Sequence, residues 1–125
     1  MLRSIDYNSL TLAYIGDSIY EVHIREYLIN KGIIKVNTLQ HEAIKYVSAV
    51  SQRKFLEKLI DGDYLTENEI IVMNRARNHK GTRHPKNTDI ITYKYATALE
   101  AIFGYLYWEK NEKRIKELIE YIVKE

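Results

Sequence analysis

Hydrophobic positions recur at helical spacing along most of the chain. The longest apolar segment, Leu10 to Ile29, carries two stripes: Leu12, Ile15, Ile19 and Val22 form one, and Tyr20, Ile24, Tyr27 and Leu28 the other. A helix apolar on most sides is normally central, with neighbours packed around it. Asn8 or Ser9 is its expected N-cap, and it runs to about Asn30, closed by Gly32. After a short connection, Asn37 or Thr38 opens a second helix in which Leu39, Ala43, Ile44 and Val47 share a face. Ser48 caps a third, carrying Val50, Phe55, Leu56 and Leu59 and ending at Asp61-Gly62-Asp63. Thr66 and Glu69 have the spacing of a capping box, so a fourth helix starts at Glu67 with Ile70, Ile71 and Met73 as its apolar side, and fades near Asn78. Loop formers fill 79–87. Thr88 then caps a long helix, with Asp89 in its first turn, reaching to about Lys110. A final amphipathic helix from Glu112 to Lys124 turns Ile115, Leu118, Ile119 and Ile122 inward. No segment alternates with period two, so the expected fold class is all-α, with about six helices.

Two carboxylates break this pattern. Asp17, in Gly16-Asp17-Ser18, interrupts the first apolar segment, and Glu100 stands in the long fifth helix amid Leu99, Ala101, Ile102 and Phe103. Each is expected at or near buried surface, where an unpaired carboxylate costs roughly several kcal/mol. Taken singly, each has an ordinary explanation: a local bond to backbone donors after Gly16, or a structural acceptor in the helix core. Small residues at Ala96, Thr97, Ala98, Ala101 and Gly104 let another helix approach closely. Together the two acids suggest packed helices aiming one carboxylate each into a shared cleft. Sparse oxygen ligation of this kind suits Mg²⁺, which keeps several waters and takes one or two protein carboxylates.

Composition narrows the class. The chain's 125 residues, 46% hydrophobic and 29% charged, suit one domain spanning 1–125 with a real core. Cysteine is absent, which excludes disulfides and thiolate metal sites. Charge interrupts every long apolar segment, and the N-terminus lacks signal-peptide features, so a soluble cytoplasmic protein with no membrane span is expected. The net charge of +2 is uninformative, but its distribution is not. Arg75, Arg77, His79, Lys80, Arg83, His84 and Lys86 fall within twelve residues free of acidic side chains, and Asn74, Asn78 and Asn87 add hydrogen-bonding groups. Such a segment is either a solvated loop or a phosphate-contacting one, since Arg and Lys contacts dominate nucleic-acid affinity.

Leu12-Ala13-Tyr14-Ile15-Gly16-Asp17-Ser18-Ile19-Tyr20-Glu21 resembles the signature helix of the ribonuclease III family, and Ala98-Leu99-Glu100-Ala101-Ile102-Phe103-Gly104 resembles its second acidic motif. Their order, their separation and the basic stretch between them also agree. The chain ends where a ribonuclease III would continue into a double-stranded-RNA-binding domain. With Arg75-Ala76-Arg77-Asn78 and the tyrosine-rich run 93–107, this makes it similar to the Mini-III ribonucleases. Two positions depart from the larger family: Ala13 and Thr97 stand where it has acidic residues.

The resemblance implies a homodimeric ribonuclease III-type endonuclease domain, with the Asp17 helix near the two-fold axis. Asp17 and Glu100 would be the catalytic pair and hold Mg²⁺, with Mn²⁺ as a substitute. Glu21 is a candidate to reach the ion through water, against a surface or dimer-interface role, and Thr97 is a candidate for the same surrounding shell. Arg75, Arg77, Asn78, His79, Lys80, Arg83 and Lys86 would contact RNA. The implied activity is cleavage of double-stranded RNA to 5′-phosphate and 3′-hydroxyl ends, maturing precursor large-subunit (23S) ribosomal RNA in bacteria, with a ribosomal protein that presents the RNA as a candidate partner. Two rivals remain. Arg77 and His84 resemble the Arg-x6-His motif of metal-independent HEPN ribonucleases, and Ala13 with Thr97 admits a helical RNA-binding domain that has lost cleavage.

Overall fold

The computed structural model describes residues 3–80 and 86–124. After a 3-10 turn at Ser4–Asp6, not expected from the sequence, come α1 (Ser9–Asn30), α2 (Val36–Val47), α3 (Ala49–Asp61), α4 (Glu67–Arg77), α5 (Ile90–Trp108) and α6 (Glu112–Val123). No strand occurs among the described residues. The fold is all-α, as its periodicity predicts.

Helix α5 is the axis of the molecule. It buries eleven residues, from Thr92 to Leu106, and packs against α1, α3, α4 and α6. Its closest partner is α1, whose core face is a ladder at i, i+4 spacing: Leu12, Gly16, Tyr20, Ile24 and Leu28. Of the stripe Leu12, Ile15, Ile19 and Val22, only Leu12 is fully buried, and Val22 faces solvent. Tyr20 meets Phe103 of α5 edge-on, ring centroids 5.2 Å apart, and its hydroxyl donates to the Tyr46 carbonyl at 2.7 Å. Burial thus holds the aromatic body while the polar tip is satisfied.

Several caps form where the sequence puts them. Asn8 accepts from the Leu10 amide, Ser48 from Ser51, and Thr66 and Glu69 close a reciprocal capping box. Others move. Asp89, not Thr88, caps α5, accepting from the Thr92 amide at 2.8 Å. Helix α2 begins at Val36, ahead of Asn37, with no side-chain cap at Lys35. In α4 the buried face is Glu69, Val72, Met73 and Ala76, whereas Ile70 and Ile71 are exposed. The reason is Glu69: a buried ion pair with Arg114 of α6 takes a place on the core face that apolarity alone would assign elsewhere.

Candidate active site

Two glycines bring α1 and α5 to backbone contact. A Cβ on Gly16 would lie 1.7 Å from the carbonyl oxygen of Glu100, and one on Gly104 would lie 1.9 Å from that of Leu12. No side chain fits between the helices at either crossing point. Asp17 follows Gly16 directly, so the same close approach that excludes a methyl group sets the Asp17 and Glu100 side chains beside each other. Both line an open cleft of about 590 Å³ together with Leu10, Ala13, Tyr14, Ile15, Ser18, Tyr93 and Thr97.

The two acids differ in environment. Asp17 is exposed but adjoins buried surface: it lies beside the buried Leu12–Gly16–Tyr20 ladder, on the open edge of α1. Glu100 is the burdened one. Burial, then the neighbouring Asp17 charge, pushes its carboxyl up to about 8, and Glu21 adds a smaller repulsion. Gln52 of α3, itself 3% exposed, opposes this by donating from Nε2 to Glu100 Oε2 at 3.5 Å. Glu21 sits half-buried on α1, paired with Arg25 at 2.9 Å. Thr97 is buried on the cleft wall, one turn before Glu100. Ala13 and Thr97, the two departures from the acidic pattern, therefore line the same cleft as Asp17 and Glu100.

A divalent cation fits this donor set. Two adjacent carboxylates, one of them disfavoured by the other's charge, gain from a cation between them. Among the described residues no group of three or more His, Asp or Glu side chains could form a full protein cage. A pair of carboxylates is a donor set that an ion retaining water, such as Mg²⁺, accepts.

The basic segment divides. The guanidinium of Arg75 donates to the Tyr7 carbonyl at 2.8 Å and to Ser9 Oγ at 3.3 Å. Arg77 lies 5.2 Å from the Tyr95 ring centroid, donating to the Tyr95 hydroxyl at 3.2 Å and to Asn74 at 2.9 Å. Asn78 caps the C-terminus of α4, His79 is half-buried, and Lys80 and Lys86 are exposed. Arg83, and with it the Arg77–His84 pair, lies outside the described residues.

The profile of the family described as Ribonuclease III domain matches residues 10–111, which includes both acidic helices and the segment between them. The chain belongs to the ribonuclease III family. Within it, the similarity is to proteins called Mini-ribonuclease 3. One from Enterococcus faecalis is 42% identical over 117 residues, covering 94% of this chain and 89% of that protein. One from Staphylococcus aureus is 41% identical over 116 residues, covering 93% and 87%. A crystal structure of a Fusobacterium nucleatum protein, 37% identical, superposes with a TM-score of 0.83 over 96% of both chains.

Two features of this ribonuclease III site had no signal in the sequence. Gln52 reads as one more polar residue in Ser51-Gln52-Arg53-Lys54, yet it shares the buried face of α3 with Leu56 and Leu59. Arg53 is absent from the basic segment but joins it in space. Its guanidinium lies 5.3 Å from the Tyr95 ring centroid, on the residue that Arg77 also approaches, and donates to Thr92 Oγ1 at 2.9 Å.

Proposed function

We propose that this protein is a Mg²⁺-dependent endoribonuclease that cleaves double-stranded RNA, with Mn²⁺ able to replace Mg²⁺. Membership of the ribonuclease III family gives the class, an endoribonuclease. The observation that carries the finer reading is the convergence of Asp17 and Glu100 in one open cleft. Both carboxylates would hold the cation, which when bound supplies charge stabilisation at the phosphate and activation of the attacking water. Thr97 shapes the cleft wall, and Glu21 adds negative potential from one turn beyond Asp17. Arg77, Asn78, His79, Lys80, Arg83 and Lys86 would contact the phosphate backbone, while Arg75 ties α4 to Tyr7 and Ser9. Hydrolysis would break the P–O3′ bond, leaving 5′-phosphate and 3′-hydroxyl ends.

A duplex offers two strands, and two centres are needed to cut both in one encounter. The exposed Leu10 and Val22 of α1, with a Tyr14 that is 82% accessible, support a homodimer about that helix. Duplex RNA is read through shape and 2′-hydroxyls, so little sequence preference is required. Precursor 23S ribosomal RNA, paired at its ends and presented by a ribosomal protein, is the proposed natural substrate, which sets the enzyme in the cytoplasm. No helix among the described residues is long and apolar enough to cross a membrane.

The test is incubation of the purified protein with a long RNA duplex, with and without Mg²⁺, followed by end-group analysis. Mg²⁺-dependent products with 5′-phosphates, lost in Asp17→Asn while duplex binding persists, support the proposal. Cleavage that continues in excess EDTA points to metal-independent chemistry instead, and binding without any cleavage points to a domain that has lost catalysis through Ala13 and Thr97.

A further inference from the structure

Gln52, behind Glu100 on the α3 side, is the buried residue whose chemistry packing does not explain. It occupies a core position on α3, in line with Leu56 and Leu59, and is 3% exposed. A buried amide without partners costs about 1–3 kcal/mol, so at this position a side chain chosen for stability alone would be apolar. Its Nε2 instead points at Glu100 Oε2 at 3.5 Å, a long contact beyond the usual range of about 2.7–3.2 Å for a hydrogen bond to oxygen, and Glu100 is the acceptor it faces.

The surroundings of Glu100 explain why the donor is an amide. Asp17 and Glu21 repel its carboxylate. The Tyr20 hydroxyl is spent on the Tyr46 carbonyl. Arg53, the cation next to Gln52 in sequence, is held by Thr92 at 2.9 Å and lies 3.5 Å from Glu57. A lysine or arginine in place of Gln52 would neutralise Glu100 and compete with a metal ion for it. A glutamate would repel it. An amide can fix the carboxylate and leave its charge unspent.

We propose that Gln52 is a positioning residue for the metal site: its side-chain amide holds one oxygen of Glu100 from the α3 side, leaving the other for the ion shared with Asp17. This rests on the two-carboxylate metal site proposed above. Partners of this kind set ligand orientation, and removing them typically costs about 10–100-fold in metal affinity.

The experiment is direct titration of the RNA-free protein with Mn²⁺ by calorimetry, on wild type, Asp17→Asn and Gln52→Met. Methionine keeps the length and bulk of glutamine without its donor. Expected are binding abolished in Asp17→Asn and weakened about tenfold or more in Gln52→Met, at an essentially unchanged melting temperature. Affinity within about twofold of wild type in Gln52→Met, with Asp17→Asn inactive in binding, overturns the assignment of Gln52 alone. Binding that survives Asp17→Asn overturns the metal site itself and the assignment with it. If Gln52→Met does not fold, proteins that keep Gln52 still decide the matter: the ¹H–¹⁵N signals of its side-chain amide must move on Mg²⁺ titration of wild type and on the substitution Glu100→Gln. Signals indifferent to both refute the proposal.

Discussion

Gly16 of α1 and Glu100 of α5 touch through their backbones: the position a Cβ would take on Gly16 is 1.7 Å from the Glu100 carbonyl oxygen and 2.8 Å from the Gly104 amide nitrogen. Backbone atoms in a packed helix cannot step aside, so any side chain at position 16 must push the helices apart. Gly16→Ala is expected to cost about 3 kcal/mol or more, at or beyond the upper end of overpacking penalties, and to separate Asp17 from Glu100. Gly32 supplies the control. It has a φ of +99° but open space around its Cβ position, so Gly32→Ala should lose only about 1 kcal/mol through backbone strain. Denaturant unfolding of the two variants, paired with a cleavage assay, checks the contrast: both measures fall in Gly16→Ala, and cleavage is retained in Gly32→Ala.

The ion pair between Glu69 and Arg114 predicts a different kind of loss. Glu69 is 1% exposed and accepts from Arg114 Nε and Nη2, both at 2.9 Å, while the same guanidinium reaches the Tyr64 carbonyl at 2.6 Å. These bonds raise the Arg114 pKa and pin α6 to the start of α4. Arg114→Met strands a buried carboxylate and should cost about 3–5 kcal/mol. Glu69→Leu combined with Arg114→Met should recover part of that, because no buried charge is then left unpaired; Glu117, which also pairs with Arg114, has a partly exposed side chain. Equal destabilisation of single and double variants in urea melts would show that the packing of the side chains, not the stranded charge, sets the cost.

How far such features could be read from the sequence depended on whether apolarity or chemistry decided a position. Helix α6 was legible because Ile115, Leu118, Ile119 and Ile122 are its only large apolar residues besides Tyr121 and Val123, and all four are buried. In α4 the same logic failed, since Ile70 and Ile71 look like core residues and Glu69 does not, yet a partner 45 residues away reverses their burial. The glycine–aspartate motif and Glu100 were visible as carboxylates inside apolar helices. Which of the two was buried was not, because that depends on where the α1 ladder meets α5. Gln52 and Arg53 join the site only through the packing of α3 on α5, an arrangement with no local signature.

The raised pKa of Glu100 gives stability a pH dependence of definite sign. The folded protein holds this proton up to about 8, whereas the unfolded chain releases it near the ordinary value of 4.5. Between those values the native state binds more protons, so in EDTA stability should fall as pH rises from about 5 to 8, by an amount on the order of 3 kcal/mol. Glu100→Gln should flatten that slope. Added Mn²⁺ should reverse it, since the ionised form then gains a partner, and the Mn²⁺-induced rise in melting temperature should be larger at pH 8.5 than at pH 6. A slope that Glu100→Gln leaves unchanged would assign the pH dependence to other groups.

Salt dependence separates the arginines of α4 by what each one touches. The guanidinium of Arg77 leans on Tyr95 at the edge of the basic segment, and Lys80 is exposed next to it. Removing one cation that neutralises a phosphate should reduce the slope of log K against log salt by roughly one. Arg77→Ala with Lys80→Ala should therefore flatten it by about two and weaken binding to duplexes of unrelated sequence alike. Arg75, two residues before Arg77, is committed to Ser9 and the Tyr7 carbonyl. Its replacement by alanine should lower stability by about 1–2 kcal/mol and leave the salt slope as it is. Duplex binding measured across a salt series decides between them: a slope changed by Arg75→Ala and untouched by the Arg77 and Lys80 pair would move the RNA-binding surface to the opposite side of α4.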